Sequence, residues 1–138
     1  MRRILLIVLA ACFMGHAQFA MAAEQKPEVL GILFYADWCG SCKVLEPEIE
    51  KARGKSDLDN NAILFVRLDL TDATRRHQSE LMAHALGVGD FYEENGGATG
   101  FMLLVDAETK DVISKLTKTM DAGDITTQIR DAIAQAAS

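Results

Sequence analysis

Cys39 and Cys42, separated only by Gly40 and Ser41, are the residues of this chain best suited to covalent chemistry. Sulfurs at that spacing can close a disulfide and reopen it. A thiolate attacks a disulfide sulfur, and a second thiol nearby then displaces the captured partner. A bridge over two intervening residues restrains an unfolded chain by about 2 kcal/mol at best, so a purely stabilising disulfide would join more distant segments. Zinc needs four ligands, and the sequence has neither a second C-x-x-C nor a close histidine pair. His77 and His84, seven residues apart, read as ordinary helix-surface or boundary residues rather than metal ligands. The motif therefore reads as a redox dithiol that acts on protein thiols and disulfides without a metal or organic cofactor.

Its reactivity depends on the elements that hold it. Residues 29–36 form a mostly apolar run with Ile32, Leu33, Phe34 and Tyr35, which predicts a strand buried on both faces. From Cys42 to about Arg53, Leu45, Ile49 and Ala52 share one helical face while Glu46, Glu50 and Lys51 lie off it. Pro47 should bend that helix by removing a backbone donor. The motif thus sits where a strand hands over to a helix, whose first amides are unpaired and carry partial positive charge. A Cys39 thiolate is favoured there, with its pKa drawn from about 8.5 toward neutrality. Cys42, one turn deeper, is the resolving thiol. Gly40 lets the chain turn, and the Ser41 hydroxyl is placed to tune the thiolate by hydrogen bonding.

Residues 62–70 predict a second strand, and Thr71-Asp72 a helix cap. The following helix, about 73–86, is expected to turn Leu81, Met82 and Ala85 inward and to end at Gly87. A glycine-rich loop over 87–100 holds Phe91 and Tyr92 among acidic residues. Strands at 101–105 and 112–116 follow, joined by a short turn; Lys115 and Lys118 suit the second of them to a sheet edge. A last helix over about 124–136 carries Ile125, Ile129 and Ile133. Strands alternating with helices need a parallel pair, and the final short turn makes an antiparallel one. The expectation is an α/β fold: a mixed four-stranded sheet with helices on both faces.

The 138 residues fit one domain, and 49% hydrophobic with 25% charged residues excludes a disordered or low-complexity chain. Residues 1–22 stand apart: Arg2 and Arg3, an apolar run over 4–14, then Ala20-Met21-Ala22. This is the layout of a secretory signal peptide, leaving residues 23–138 as the mature domain. The apolar run falls short of the roughly 20 residues a membrane span needs. Leu9-Ala10-Ala11-Cys12 also has the form of a lipobox, so a lipoprotein anchored at Cys12 is the alternative to soluble export. Cleavage would remove two basic residues and no acidic one, leaving 12 against 20 and a net charge of −8. Such a protein repels phosphate backbones and anionic headgroups, which argues against nucleic acid or membrane-surface partners.

The segment Tyr35-Ala36-Asp37-Trp38-Cys39-Gly40-Ser41-Cys42-Lys43, with Pro47 five residues after Cys42, resembles the active-site segment of thioredoxins. The Tyr-Ala-Asp-Trp-Cys stretch is most similar to the C-terminal periplasmic domain of thiol:disulfide interchange proteins of the DsbD type. The resemblance implies a thioredoxin fold, Cys39 as the exposed nucleophile, and Trp38 packed beside the dithiol with Gly40, Ser41 and Lys43 around it. For Trp38 the alternative is plain core packing. It also favours a periplasmic reductant fed by a membrane electron donor of the DsbD type; an oxidant or isomerase role stays open, since Gly40-Ser41 does not fix the potential.

Three departures accompany it. Leu33 stands where thioredoxins carry a buried acid. Gly100, preceded by Thr99, stands at the position of their cis-proline; a non-proline cis bond costs about 3 kcal/mol, so a trans bond is expected. By the resemblance, Thr99 would pair with substrate backbone, and Gly100 beside it would belong to the same substrate-binding surface. The loop over 87–100 is longer than usual, so Phe91 and Tyr92 either form a substrate-binding lid beside Cys39 or pack the loop down. Two readings from other classes stand beside the oxidoreductase: a thiolate protein that binds or delivers Cu(I), zinc or an iron–sulfur unit, and a redox-inactive binding module.

Overall fold

The computed structural model describes residues 26–55, 58, 62–95 and 97–138. The leader expected at residues 1–22 and the alternative lipidation site Cys12 lie outside them. Eight elements follow in order: β1 (Val29–Tyr35), α1 (Gly40–Arg53), β2 (Ile63–Asp69), α2 (Ala73–Ala85), α3 (Gly89–Glu94), β3 (Phe101–Asp106), β4 (Val112–Thr117) and α4 (Ala122–Ala136). The strands form one sheet in the order β2-β1-β3-β4. β1 pairs with β2 in parallel and with β3 antiparallel, and β4 is antiparallel to β3. This is the mixed four-stranded sheet expected, with β4 at an edge.

Alternation along β1 explains why its residues are apolar almost throughout. Val29 and Leu33 face a core made with Leu45 and Ile49 of α1 and Ile125 and Ile129 of α4. Leu30, Ile32 and Phe34 face a second core with Leu68, Leu103 and Ala83 of α2. Both faces of the sheet are covered, α1 and α4 on one side and α2 and α3 on the other. Lys115 of β4 lays its ammonium 3.9 Å from the centre of the Phe101 ring.

Three expectations need correction. On α2 the inward residues are Ser79 and Ala83, whereas Leu81 and Met82 are 58% and 45% exposed and Ala85 is exposed too. A small residue lets the helix approach the sheet, and the Ser79 hydroxyl donates to the Asp69 carbonyl at 3.0 Å. Close approach and one buried hydrogen bond outweigh the larger apolar area of the other face. The expected loop over 87–100 also contains the six-residue helix α3. Gly87, at φ +72°, ends α2 by donating to His84 while the Val88 amide reaches Ala83, a terminating pattern that needs a left-handed residue. α1 begins two residues earlier than expected and continues through Pro47.

Candidate active site

The site is assembled at the C-terminal ends of β1 and β2. Cys39 is the N-cap of α1, in extended conformation (φ −79°, ψ 108°), and its Sγ accepts the Cys42 amide at 3.1 Å. No acidic residue occupies the first turn, so a sulfur rather than a carboxylate meets the free amides of that helix end. The two sulfurs are joined as a disulfide, with α-carbons 5.3 Å apart. Cys42 is fully buried, its Sγ 3.8 Å from the Phe34 carbonyl oxygen.

Cys39 is the shallower of the two, but it was expected to be exposed and is only 6% accessible in the disulfide form. The cover is Gly100. Its amide donates to the Phe34 carbonyl at 2.8 Å and its φ is +91°. A β-carbon there would stand 2.5 Å from Ser41 Cβ and 3.2 Å from Cys39 Sγ. Glycine is therefore required twice, by its backbone angle and by the nearness of the dithiol. The described residues contain no cis peptide, so the chain approaches the sulfurs without the bond geometry that proline would bring. Ser41 packs against Gly100, Thr99 is half-buried next to it, and Gly40 and Lys43 are exposed on the first turn.

Trp38 is neither in the core nor folded inward: it is 58% exposed. Its indole N–H donates to the Thr71 carbonyl at 3.2 Å, which turns the ring toward solvent beside Cys39. The whole turn before the dithiol is anchored on the segment after β2. The Asp37 amide donates to Thr71 Oγ1 at 2.9 Å, the Leu70 amide donates to the Tyr35 carbonyl at 2.7 Å, and Thr71 is itself bonded to Asp69. Arg75 Nη1 lies 2.9 Å from Asp37 Oδ2 and 3.7 Å from Asp69, and its Nε lies 3.5 Å from Asp72. The Tyr35 hydroxyl donates to Asp37 Oδ1 at 3.1 Å. The bond from Arg75, and then that from Tyr35, hold the Asp37 carboxyl below the ordinary range. Desolvation, followed by the bond to Asp37, pushes the Tyr35 phenol above its ordinary value.

Sequence reasoning missed Asp37, Asp69, Thr71 and Arg75 as parts of the site. The signal was parallel pairing: β1 and β2 run together with Tyr35 opposite Asp69, so whatever follows each strand must meet at one end of the sheet. Leu33 is buried, facing α1, and helps to floor a cleft of about 110 Å³ whose rim carries the Glu46–Arg67 ion pair. Phe91 and Tyr92 pack against the core on the α2 side, and the Tyr92 hydroxyl donates to the Arg76 carbonyl at 2.9 Å. Their observed role is to hold α3 down. His77 lies 3.6 Å from Glu80, and His84 3.8 Å from Glu93.

A sulfur at a helix end, bridged to a second sulfur one turn deeper, can capture a partner sulfur and release it. A family model described as Thioredoxin matches residues 11–84. Among curated proteins, the protein disulfide-isomerase of Oryctolagus cuniculus is 33% identical over 82 residues, covering 47% of this chain and 16% of that protein. The one of Hordeum vulgare is 43% identical over 58 residues, covering 41% and 11%. The one of Gallus gallus is 28% identical over 118 residues, covering 86% and 22%. The chain thus spans less than a quarter of the length of these three relatives. Among solved structures, a thioredoxin of Malassezia sympodialis is similar at 20% identity, over 82% of this chain and 80% of that one, with a TM-score of 0.43.

Proposed function

This chain belongs to the thioredoxin family, and from that premise we propose that it is a thiol–disulfide oxidoreductase with Cys39 as the nucleophile and Cys42 as the resolving thiol. The observation that carries the reading is the Cys39 sulfur at the N-terminus of α1, within bonding reach of Cys42. In the reduced protein the Cys39 thiolate attacks a substrate disulfide, forming a mixed disulfide and expelling one substrate thiolate. The Cys42 thiol then loses its proton and attacks Cys39 Sγ. This releases the second substrate thiolate and leaves the Cys39–Cys42 disulfide. Two electrons pass to the substrate, and an external dithiol must return them. Trp38, Thr99 and Gly100 form the surface a substrate meets, with Gly100 moving aside to admit the incoming sulfur.

The finer proposal is an exported reductant, with a signal peptide at 1–22 and a periplasmic domain over 23–138 that draws electrons from a membrane donor of the DsbD type. The basic start, apolar run and Ala20-Met21-Ala22 of residues 1–22 support export, and the Tyr-Ala-Asp-Trp-Cys stretch supports the reducing role. Replacing Cys42 by Ser tests the chemistry: the variant should hold substrate proteins as mixed disulfides on Cys39 that dithiothreitol releases. Recovery of none, under conditions where the unmodified protein reduces a protein disulfide, would contradict the assigned order of the two sulfurs. The mass of the protein from an exporting host should correspond to a chain starting at Ala23. An intact Met1 or a lipidated Cys12 would overturn the proposed soluble export.

A further inference from the structure

Three carboxylates, Asp37, Asp69 and Asp72, converge on one guanidinium beside the dithiol turn. The carboxylate nearest in sequence to the chemistry is Asp37, two residues before Cys39. It is held on both oxygens, by Tyr35 at Oδ1 and by Arg75 at Oδ2. Tyr35 in turn packs on the cluster of Ala36, Cys39 and Cys42, with the Arg67 guanidinium 3.4 Å from the centre of its ring. The phenol thus ties Asp37 to the wall of the dithiol itself.

We propose that Arg75 is a positioning residue of the dithiol: by neutralising Asp37 and locking it against the segment after β2, it keeps an uncompensated negative charge away from the Cys39 thiolate. The inference rests on the reading of Cys39 as the attacking sulfur. Stability does not account for the cluster. Arg75 and Asp37 are 43% and 58% exposed, and ion pairs so open to water add little to folding. Charge beside a titrating sulfur acts differently, because it favours one protonation state over the other. A thiolate at Cys39 meets the amides of α1 as its favourable field. Against it stand whatever carboxylates the turn leaves unpaired. The other charged or titratable groups on the elements that meet there are Cys42, Lys43 and Glu46 on α1, Arg67 and Asp69 on β2, and Asp72 at the N-cap of α2. From the β3 side come Thr99 and Gly100, which carry no charge, and Lys115 of β4 is engaged on Phe101. Arg75 is the cation that pairs directly with Asp37, while Arg67 acts on it only through its field.

The test is the pH profile of iodoacetamide alkylation at Cys39, read by peptide mass in the reduced full chain. It is run for the unmodified protein, Arg75→Gln, Arg75→Lys, Asp37→Asn and the double variant. Arg75→Gln should move the profile upward by about half a pH unit, the effect of one charge several ångströms away in partly solvated protein. Arg75→Lys should recover most of that shift. Asp37→Asn in the Arg75→Gln background should return the profile to that of the unmodified protein, because the charge being compensated is gone. In glutathione equilibration Arg75→Gln should poise as the more strongly reducing dithiol, since its reduced form is less stabilised. A profile unmoved in Arg75→Gln, or a shift that persists in the double variant, would overturn the proposal. Failure of the underlying reading looks different: the unmodified protein itself would show Cys39 and Cys42 reacting alike. Thermal unfolding of each variant, read in parallel, separates a shifted profile from a lost fold, and Asp37→Asn and Arg75→Lys keep the cycle readable if Arg75→Gln unfolds.

Discussion

Helices α1 and α4 pack on the same face of the sheet, yet their N-termini are finished in opposite ways. At α4 the Asp121 carboxylate accepts the amides of Gly123 and Asp124 at 2.7 and 2.9 Å. Asp124 answers the Asp121 amide, and Glu48 of α1 accepts the Ala122 amide at 3.0 Å. At α1 the corresponding acceptor is the Cys39 sulfur, with no acid in the first turn. Carboxylates at α4 saturate the helix end and keep it shut. A disulfide sulfur is a weak acceptor, so the α1 end is well satisfied only when Cys39 becomes a thiolate. One terminus serves stability; the other is left available for chemistry.

That contrast can be broken, and the largest effect should come from removing the sulfur. Cys39→Ser should lower the rate of protein-disulfide reduction by at least about a hundredfold, because a hydroxyl is not ionised near neutral pH. A variant keeping most of the rate would transfer the nucleophile to Cys42. Next in size, Gly100→Ala should destabilise the protein by about 1–3 kcal/mol, through a left-handed backbone and a β-carbon on Ser41 and Cys39. Denaturant unfolding of the oxidised form measures this, and an unchanged midpoint would mean that Gly100 does not seal the sulfurs.

Asp121→Ala, by contrast, should lower stability by about 1 kcal/mol and leave the exchange rate unaltered. Loss of exchange in that variant would erase the distinction between the two helix ends. The smallest effect is one of pH. Amides of Asp124 and Gly123 hold the Asp121 carboxyl below its ordinary value, and the Lys51 ammonium does the same for Glu48. Carboxyls depressed in this way stabilise the fold above their unfolded values near 4. The contribution is lost as pH falls through the depressed folded values. Thermal scans of the oxidised protein should therefore be level from about pH 7 to 5 and decline below about pH 4, more shallowly in Asp121→Ala.

Where burial follows one clear period, the sequence is a good guide to this fold. The apolar run of β1, the Leu45–Ile49–Ala52 face of α1 and the isoleucine spacing of α4 all lie in the core, although Ile133 is only partly buried. α2 misleads because its inward face is made of small residues, and size is what sequence patterns register most strongly. α3 is too short to show a period. The dithiol is legible from two cysteines and their spacing. Its surroundings are not, because Gly100, Thr71 and Arg75 reach it through sheet pairing and strand ends rather than through neighbours in the chain. For Trp38 the resemblance implies a place beside the dithiol and the alternative is core packing; its hydrogen bond to Thr71 keeps it out of the core.

The most direct test is to reduce the unmodified protein and follow alkylation of Cys39 and Cys42 separately across pH. Cys39 should react at least about tenfold faster at pH 7, with its half-maximal rate below the free-thiol value near 8.5. Equal rates at the two sulfurs, or a Cys39 profile centred where an ordinary thiol titrates, would show that the end of α1 does not activate the sulfur it holds.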